Sequence, residues 1–232
     1  MACECDKYVN PASASTDRCI KDLWMFERYG VEQLQALKTI GERRFFSPGQ
    51  AVFTQGAPAD ELFLIRSGRI KLNKVQEDGT EVTLDFRKAG DAIGENAFAG
   101  DMTYPLSAWA LEDTVTCGFS IPNFNELVMR YPDIGLGLIR TMSSKMAAMT
   151  DRLESMSENS LENRLYSVLS QVAREHGEQA EGGLALAISL THEELGFLVG
   201  AHRVSVTRAL KSLADHGRVV RAGEGGRLLV RV

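Results

Sequence analysis

The chain has 232 residues, of which 44% are hydrophobic and 25% are charged, and its formal net charge at pH 7 is −5. These values are typical of a globular protein with room for two domains, and they argue against a surface coated with positive charge for nucleic acid. No apolar run approaches the roughly 18 residues of a membrane span, and no apolar secretion signal opens the chain. We therefore expect a cytoplasmic protein without a membrane partner.

Residues 1–20 are polar and include the stretch NPASASTD, which predicts a flexible N-terminal arm. From about residue 45 to residue 121 the sequence changes to short alternating runs separated by glycines, such as ELFLIRSGRIKLNKV and DTVTCGFSI. Asp78 and Gly79 form a hairpin signal between two runs, because glycine supplies the positive φ of a tight turn. The pattern predicts a small antiparallel barrel or roll, which we assign as a β-roll sensor domain over residues 21–131.

After Pro132 the pattern becomes helical, which predicts one long helix over residues 132–158. Apolar side chains recur along it at alternating intervals of four and three residues, and we call them the methionine seam: Met142, Met146, Met149, Leu153 and Met156. Heptad spacing lets two long helices pack along one stripe. The seam therefore predicts a homodimer, and its methionines predict a helix pair that can repack or slide.

Residues 159–232 are predicted to form a winged helix-turn-helix domain. A helix is expected from about residue 161 to residue 176, followed by a glycine-bearing loop, HGEQAEGG, and a short strand, LALAIS. Two helices joined by a short turn that contains Gly200 come next, which is the helix-turn-helix pattern. The stretch RVVRAGEGGRLLVRV then predicts the two strands of a wing around a glycine-rich tip.

Local capping and local charge both support this interpretation. Thr191 and Glu194 form a capping box that starts the first of the two helices at His192, and the second runs from Arg203 to about His216. From the turn glycine to the end, seven basic and two acidic residues give a net charge of +5, against −10 for the rest of the chain. A basic tip on an acidic body is typical of a small DNA-binding module.

Polar side chains occupy the first turns of the second helix, which face base edges when such a helix enters the major groove. Arginine can donate two hydrogen bonds to guanine, and hydroxyl groups reach phosphate or base acceptors. Lys211, one turn further along, suits a phosphate, as does His202. The predicted DNA-binding residues are Thr191, His202, Arg203, Ser205, Thr207, Arg208 and Lys211.

These motifs resemble those of the catabolite-activator/FNR (CRP/FNR) family of bacterial transcription regulators over nearly the whole chain. SPGQAVFTQGAPADELFLIRSGRIKL is similar to the signature of the family's cyclic-nucleotide-binding-type β-roll, AIGENAF and YPLSAWALEDTVTC to its later strands, and LTHEELGFLVGAHRVSVTRAL to its helix-turn-helix. The resemblance implies an α+β fold with a β-roll, a long dimerisation helix and a winged helix-turn-helix. It also implies a homodimer that binds near-palindromic promoter DNA, contacts RNA polymerase and responds to a small signal.

One position of the recognition segment departs from the family pattern. Many members carry a glutamate there, whereas this chain has Val204. Glutamate accepts a hydrogen bond from cytosine N4, and valine instead packs against a thymine methyl group. We therefore hypothesise a half-site that lacks the usual G·C pair and is richer in A·T. Arg208 matches the family's arginine and is expected to contact guanine or phosphate.

The resemblance also implies a signal site in the roll. The family's cyclic-AMP pocket uses a Gly-Glu pair for the ribose and an Arg-Ser pair for the phosphate. Here Gly94 and Glu95 match the first pair, but Leu106 and Ser107 stand at the second, and no lysine or arginine lies between residues 88 and 130. A buried phosphate without a cation is costly, which argues against cyclic AMP unless a basic residue reaches it from elsewhere in the dimer. A neutral or aromatic ligand fits better, and the predicted effector-binding residues are Gly94, Glu95, Leu106, Ser107, Met142 and Met146.

Four cysteines provide a second possible input. By resemblance to oxygen-sensing FNR-type members, three arm cysteines and one roll cysteine are the ligands of a [4Fe–4S] cluster, here Cys3, Cys5, Cys19 and Cys117. Their C-x-C spacing followed by thirteen residues differs from the family motif, and Cys117 also suits a small buried apolar residue. A thiol–disulfide switch between Cys19 and Cys117 is the other redox alternative. Haem is disfavoured, because all four histidines lie in the C-terminal third.

The sequence does not favour an enzyme, since it lacks a P-loop, an H-E-x-x-H motif and a G-x-S-x-G motif. Glu95 and Ser107 resemble a base and a nucleophile, but no histidine in the sensor half links them, and no catalytic residue is predicted. A ligand-binding regulatory module without direct DNA readout would share the β-roll but lack the basic winged tail. A DNA-binding regulator is therefore the preferred interpretation.

Overall fold

The computed structural model describes residues 29–100, 103–158, 160–222 and 227–231. The arm predicted for residues 1–20, with its three cysteines, lies outside these ranges. The chain divides into two compact units, with the boundary between Ser144 and Lys145 inside one long helix. None of the helices within the described ranges is long and apolar enough to cross a membrane.

The first unit contains the β-roll that the alternating runs predicted. Its strands are β1 (Glu42–Phe46), β2 (Ala51–Phe53), β3 (Glu61–Ser67), β4 (Arg69–Val75), β5 (Glu81–Lys88), β6 (Ala92–Ile93), β7 (Ser107–Ala110) and β8 (Thr114–Ser120). They form two four-stranded antiparallel sheets, with the orders β1-β8-β3-β6 and β2-β7-β4-β5. The prediction of an antiparallel β-roll is confirmed.

The hairpin between β4 and β5 turns at the predicted pair. Gly79 has a φ of +84°, the left-handed conformation that glycine adopts without strain. The Asp78 carboxylate accepts a hydrogen bond from the amide of Thr80 at 2.9 Å, and this contact lowers the pKa of Asp78. Asp78 and Gly79, which predicted the turn from the sequence, therefore also stabilise it.

Successive side chains of β3 face two different apolar cores. Phe63 and Ile65 point between the two sheets, into a cluster that also contains Phe53 and Tyr104. Leu62 and Leu64 point to the other face, into a second cluster under the helices. Successive side chains of a strand face opposite sides, so one buried strand supplies both cores.

Two helices of this unit were not predicted. Helix α1 spans Val31–Ile40, and helix α2 spans Ile121–Arg130 with a proline in its first turn. The expectation that the helical pattern begins only after Pro132 is therefore wrong. Proline is well suited to the first turn of a helix, and Phe124 and Leu127, three residues apart, bury one face of α2.

Helix α3 spans Pro132–Met156, two residues short of the predicted end at residue 158. Its second turn passes close to Tyr29, because a Cβ atom on Gly137 would overlap the Tyr29 hydroxyl. That hydroxyl donates a hydrogen bond to the carbonyl oxygen of Asp133 at 3.2 Å. Burial raises the pKa of Tyr29. The glycine therefore lets Tyr29, two residues before α1, pack against the start of the long helix.

The second unit is a winged helix-turn-helix domain, as predicted. Its elements are α4 (Leu161–His176), β9 (Gly177–Ala180), β10 (Gly183–Leu186), α5 (His192–Val199), α6 (Arg203–Asp215), β11 (Val219–Ala222) and β12 (Arg227–Val230). The four strands form one antiparallel sheet in the order β11-β12-β10-β9. The glycine-bearing stretch predicted as a loop contains strand β9, because a turn with Gly182 at φ +87° pairs it with β10.

Candidate nucleic-acid interface and signal site

A capping box and two glycines shape the helix-turn-helix. Thr191 Oγ1 accepts a hydrogen bond from the Glu194 amide at 3.1 Å, and the Glu194 carboxylate accepts one from the Thr191 amide at 2.9 Å. Gly200 ends α5 in the left-handed region at φ +66°. A Cβ atom on Gly196 would lie 2.5 Å from the carbonyl oxygen of Ala201. This second glycine, absent from the predicted site residues, lets the turn fold back onto α5.

Helix α6 presents one buried and one exposed side. Val206, Ala209 and Leu213 are buried within the unit. The opposite side, which we call the recognition face, consists of the exposed residues Arg203, Val204, Thr207, Arg208 and Lys211. The side chains of its three basic residues make no hydrogen bond or ion pair with any other residue in the described ranges. Their charges are therefore available to an external partner.

The other predicted DNA-binding residues lie beside this face. His202 is exposed and precedes α6 as its N-cap residue. Ser205 is half-buried on the flank of α6. The Thr191 hydroxyl both accepts from the Glu194 amide and donates to the Glu194 carboxylate at 2.9 Å, so it is engaged in starting α5.

Thr207 differs from the basic residues of the recognition face because its hydroxyl has partners inside the unit. It donates to the carbonyl oxygen of Arg203 at 3.0 Å. It also lies 2.8 Å from Nδ1 of His192, the first residue of α5. No local sequence pattern indicates this contact, since the two residues are fifteen positions apart.

Helix α4 anchors both helices of the motif from behind. The Glu162 carboxylate accepts a hydrogen bond from the Ser212 hydroxyl at 2.7 Å and lies 3.3 Å from Nδ1 of His216. Arg164 donates to the carbonyl oxygen of Val199 at 3.3 Å, at the end of α5. The orientation of α6 is thus set by contacts at its C-terminal end as well as at its start.

In the roll, Gly94 lies where the backbone of another strand approaches closely. It precedes the 3-10 turn Glu95–Ala99 with a φ of +84°. A Cβ atom there would lie 2.7 Å from the carbonyl oxygen of Glu61 and 3.4 Å from the ring of Tyr104. The Tyr104 hydroxyl donates to the same carbonyl at 2.8 Å, its ring stacks on Phe53 at 4.0 Å, and burial raises its pKa. The fold alone therefore requires glycine at this position.

The second predicted pair of the signal site is also engaged in the fold. The Ser107 hydroxyl is buried and accepts a hydrogen bond from the Gln55 amide at 2.9 Å. Leu106 packs against the apolar cluster between the sheets. The adjacent strand β4 places Lys71 opposite Trp109, two residues from Ser107. Lys71 lies outside the segment between residues 88 and 130 that lacks lysine and arginine. The strand register nevertheless brings this basic residue near Leu106 and Ser107.

The long helix exposes the apolar stripe that the heptad spacing indicated. Met142 is half-buried, whereas Met146 and Leu153 are 69% and 68% exposed. Ile139, one heptad before Met146, is 60% exposed and extends the stripe toward the start of the helix. Contiguous large apolar side chains at a surface mark a region that another surface covers.

Cys117 is 4% exposed and packs in the core cluster with Leu64 and Phe119. The other three predicted cluster ligands lie outside the described residues. Within the described ranges, no three histidine, cysteine or acidic side chains come together to hold a metal. This burial is what the alternative of a small buried apolar residue predicts for Cys117.

The chain combines a β-roll with a winged helix-turn-helix whose recognition face is exposed and basic. This combination defines the class of DNA-binding transcription regulators. Residues 43–131 match the family model of the cyclic nucleotide-binding domain, and residues 163–231 match that of the Crp-like helix-turn-helix domain. The chain belongs to the catabolite-activator/FNR (CRP/FNR) family, whose named members among its relatives are regulators rather than enzymes.

Two relatives and one solved structure illustrate the similarity. The anaerobic regulatory protein of Bacillus subtilis is 26% identical over 84% of this chain and 82% of its own length. The cyclic AMP receptor protein of Thermus thermophilus is 27% identical over 87% of this chain and 89% of its own length. The structure of the c-di-GMP responsive global regulator of Xanthomonas campestris covers 88% of this chain and 100% of its own, with a TM-score of 0.72 at 20% identity. This last likeness is one of fold.

Proposed function

We propose that the protein is a cytoplasmic homodimer that binds near-palindromic promoter DNA through the recognition face of α6 and changes its affinity in response to a small signal. The observation that carries the proposal is this face, with three basic side chains that have no partner in the described part of the chain. Two such helices in a dimer fit half-sites about one helical turn apart. Contact with RNA polymerase, implied by the family resemblance, belongs to the same proposal.

The methionine seam is the proposed dimer contact, and charge substitution tests it. Leu153→Glu places a carboxylate in the apolar stripe, where burial against a second helix is costly. Ala147→Glu places the same charge on an exposed position of the same helix outside the stripe. Light scattering should give about twice the chain mass of 25.5 kDa for the wild type and for Ala147→Glu. It should give the single-chain mass for Leu153→Glu. A dimer that survives Leu153→Glu would refute the seam contact.

The proposed half-site is rich in A·T at the position that Val204 faces. Val204 is 63% exposed on the recognition face, and an aliphatic side chain there can contact a thymine methyl group but cannot accept from cytosine N4. Binding-site selection should therefore return A·T where a glutamate-bearing relative would select G·C. Selection of a G·C-containing half-site by the wild-type chain would refute this part of the proposal.

The proposed signal is an uncharged or aromatic small molecule rather than cyclic AMP. Leu106 brings no charge, the Ser107 hydroxyl already accepts from Gln55, and relatives of similar identity carry names for different signals. A signal acts by favouring one arrangement of the two recognition helices over another. Replacing the four seam methionines by leucine should lock one arrangement, so that DNA affinity no longer depends on the signal. Unchanged signal dependence in that variant would contradict the model.

A redox input through the four cysteines is the alternative signal. The number of thiols matches the four that a [4Fe–4S] cluster requires, although only Cys117 lies within the described residues. Absorbance, iron and sulfide measured on anaerobically purified protein separate the two inputs. A brown protein with about four irons per chain that bleaches in air would establish the redox input. A colourless, iron-free protein would leave the small molecule or a thiol switch.

A further inference from the structure

We infer that His192 is a positioning residue for DNA reading, because it holds the recognition helix through Thr207. The inference rests on the proposed DNA-binding function. Thr207 belongs to the recognition face, and the sequence predicts it as a DNA contact. Its hydroxyl is instead engaged with the Arg203 carbonyl oxygen at 3.0 Å and with His192 Nδ1 at 2.8 Å.

The hydrogen count of these two contacts fixes the role of each partner. A threonine hydroxyl carries a single hydrogen, and a backbone carbonyl oxygen can only accept. The contact with Arg203 therefore uses the Thr207 hydrogen, and His192 Nδ1 must supply its own hydrogen for the second contact. Thr207 is then left without a donor for a phosphate oxygen or for the acceptor atoms of guanine and thymine. Its hydroxyl serves as an internal tie between the two helices.

The position of the tie explains how it affects DNA reading. His192 is the first residue of α5, and Thr207 lies in the second turn of α6. The bond between them joins the two helices independently of the turn at Gly200, and so constrains the angle of α6. A small rotation of α6 displaces the whole recognition face, including Arg203 and Arg208. Site residues need support of this kind to stay within about 0.5 Å of a productive geometry.

Two pairs of substitutions test the tie in the full-length chain. His192→Ala and Thr207→Val each remove it, whereas His192→Asn keeps a donor near the Nδ1 position and Thr207→Ser keeps the hydroxyl. The probe is the duplex that wild-type protein selects most strongly from a random library. We expect each removal to weaken binding about tenfold, and the double variant to bind no more weakly than either single variant. The two conservative variants should restore most of the affinity.

The salt dependence of binding distinguishes positioning from direct contact. A residue that only positions α6 leaves the slope of log K against log salt unchanged, since no phosphate contact is lost. A slope reduced by about one in His192→Ala would show that this side chain touches phosphate itself, and would overturn the inference. Additive losses in the double variant would overturn it as well.

A measurement without DNA separates this inference from the proposed function. Urea unfolding of the full chain gives the unfolding constant of each single variant and of the double variant. The change in the double variant should be about fivefold smaller than the product of the two single changes, as for one hydrogen bond. Independent effects would overturn the tie even if DNA binding is established. A wild-type chain that selects no sequence would instead contradict the proposed function, and the unfolding cycle would still decide whether the tie exists.

Discussion

The predicted functional residues of the β-roll and those of the recognition helix differ in whether their polar groups have partners within the protein. In the roll, the hydroxyl groups of Tyr104 and Ser107 bond to backbone atoms of other segments, and Gly94 is needed where a carbonyl oxygen approaches. On α6, the charged groups of Arg203 and Arg208 have no partner in the described part of the chain. Gly94, Leu106 and Ser107 of the predicted signal site thus already stabilise the fold, whereas the basic side chains predicted to contact DNA on α6 have no partner within the described residues.

The largest expected effect tests whether Gly94 is required by the fold. Gly94 and Gly79 share a φ of +84°, but a Cβ atom would lie 2.7 Å from the Glu61 carbonyl oxygen at Gly94 and would meet nothing within 4 Å at Gly79. Gly79→Ala should lower the free energy of unfolding by about 1 kcal/mol, for backbone strain alone. Gly94→Ala should lower it by about 3 kcal/mol or more, because the clash adds to that strain. Urea unfolding measures both, and equal losses would show that the roll has space at Gly94.

The second prediction concerns Arg208 as a direct DNA contact. Arg208→Ala should weaken binding to the selected duplex by about 10- to 100-fold, the range for loss of a bidentate arginine–base contact. Lys74→Ala, at an exposed position of the roll, removes the same charge away from α6 and should change affinity little. Fluorescence anisotropy on both variants checks this. Similar losses in the two variants would mean that overall charge, rather than the recognition face, governs binding.

A smaller effect is expected from the apolar part of the recognition face. Replacing the thymine opposite Val204 by deoxyuridine removes only the 5-methyl group, and should weaken wild-type binding about threefold, as expected for the loss of one buried methyl. The same change should have a smaller effect on binding by Val204→Ala, which lacks the two γ-methyl groups of valine. Titrations with a series of singly substituted duplexes locate the position. Equal deoxyuridine effects in both proteins would argue against the thymine contact.

The smallest expected effect is a null result for cyclic AMP. A ligand that binds the folded protein raises its stability by about 2.7 kcal/mol at one hundred times its dissociation constant, so even modest binding is visible in thermal unfolding. We expect no change in the unfolding temperature with millimolar cyclic AMP. A clear upward shift that disappears in Lys71→Gln would contradict this expectation and would identify Lys71 as the cation from outside the segment between residues 88 and 130.

The two regions were not equally predictable from the sequence. The recognition face follows from the helical repeat, because Arg203, Val204 and Arg208 lie on one side of any helix that buries Val206 and Leu213. The contacts of the signal residues depend on strand pairing, which brings Tyr104 to Glu61 across 43 positions and Ser107 to Gln55 across 52 positions. Such contacts leave no local pattern. The bond between His192 and Thr207 likewise joins residues distant in sequence, so it could not be predicted although both helices were placed correctly.

The central claim is that α6 reads DNA as one of a symmetric pair of helices. Binding-site selection from a random duplex library, with full-length wild type and Arg208→Ala in parallel, tests it most directly. We predict that the wild type enriches a two-fold symmetric sequence with half-sites about one helical turn apart, and that Arg208→Ala loses specificity within each half-site. An asymmetric consensus, no consensus, or the same consensus from both proteins would contradict the account.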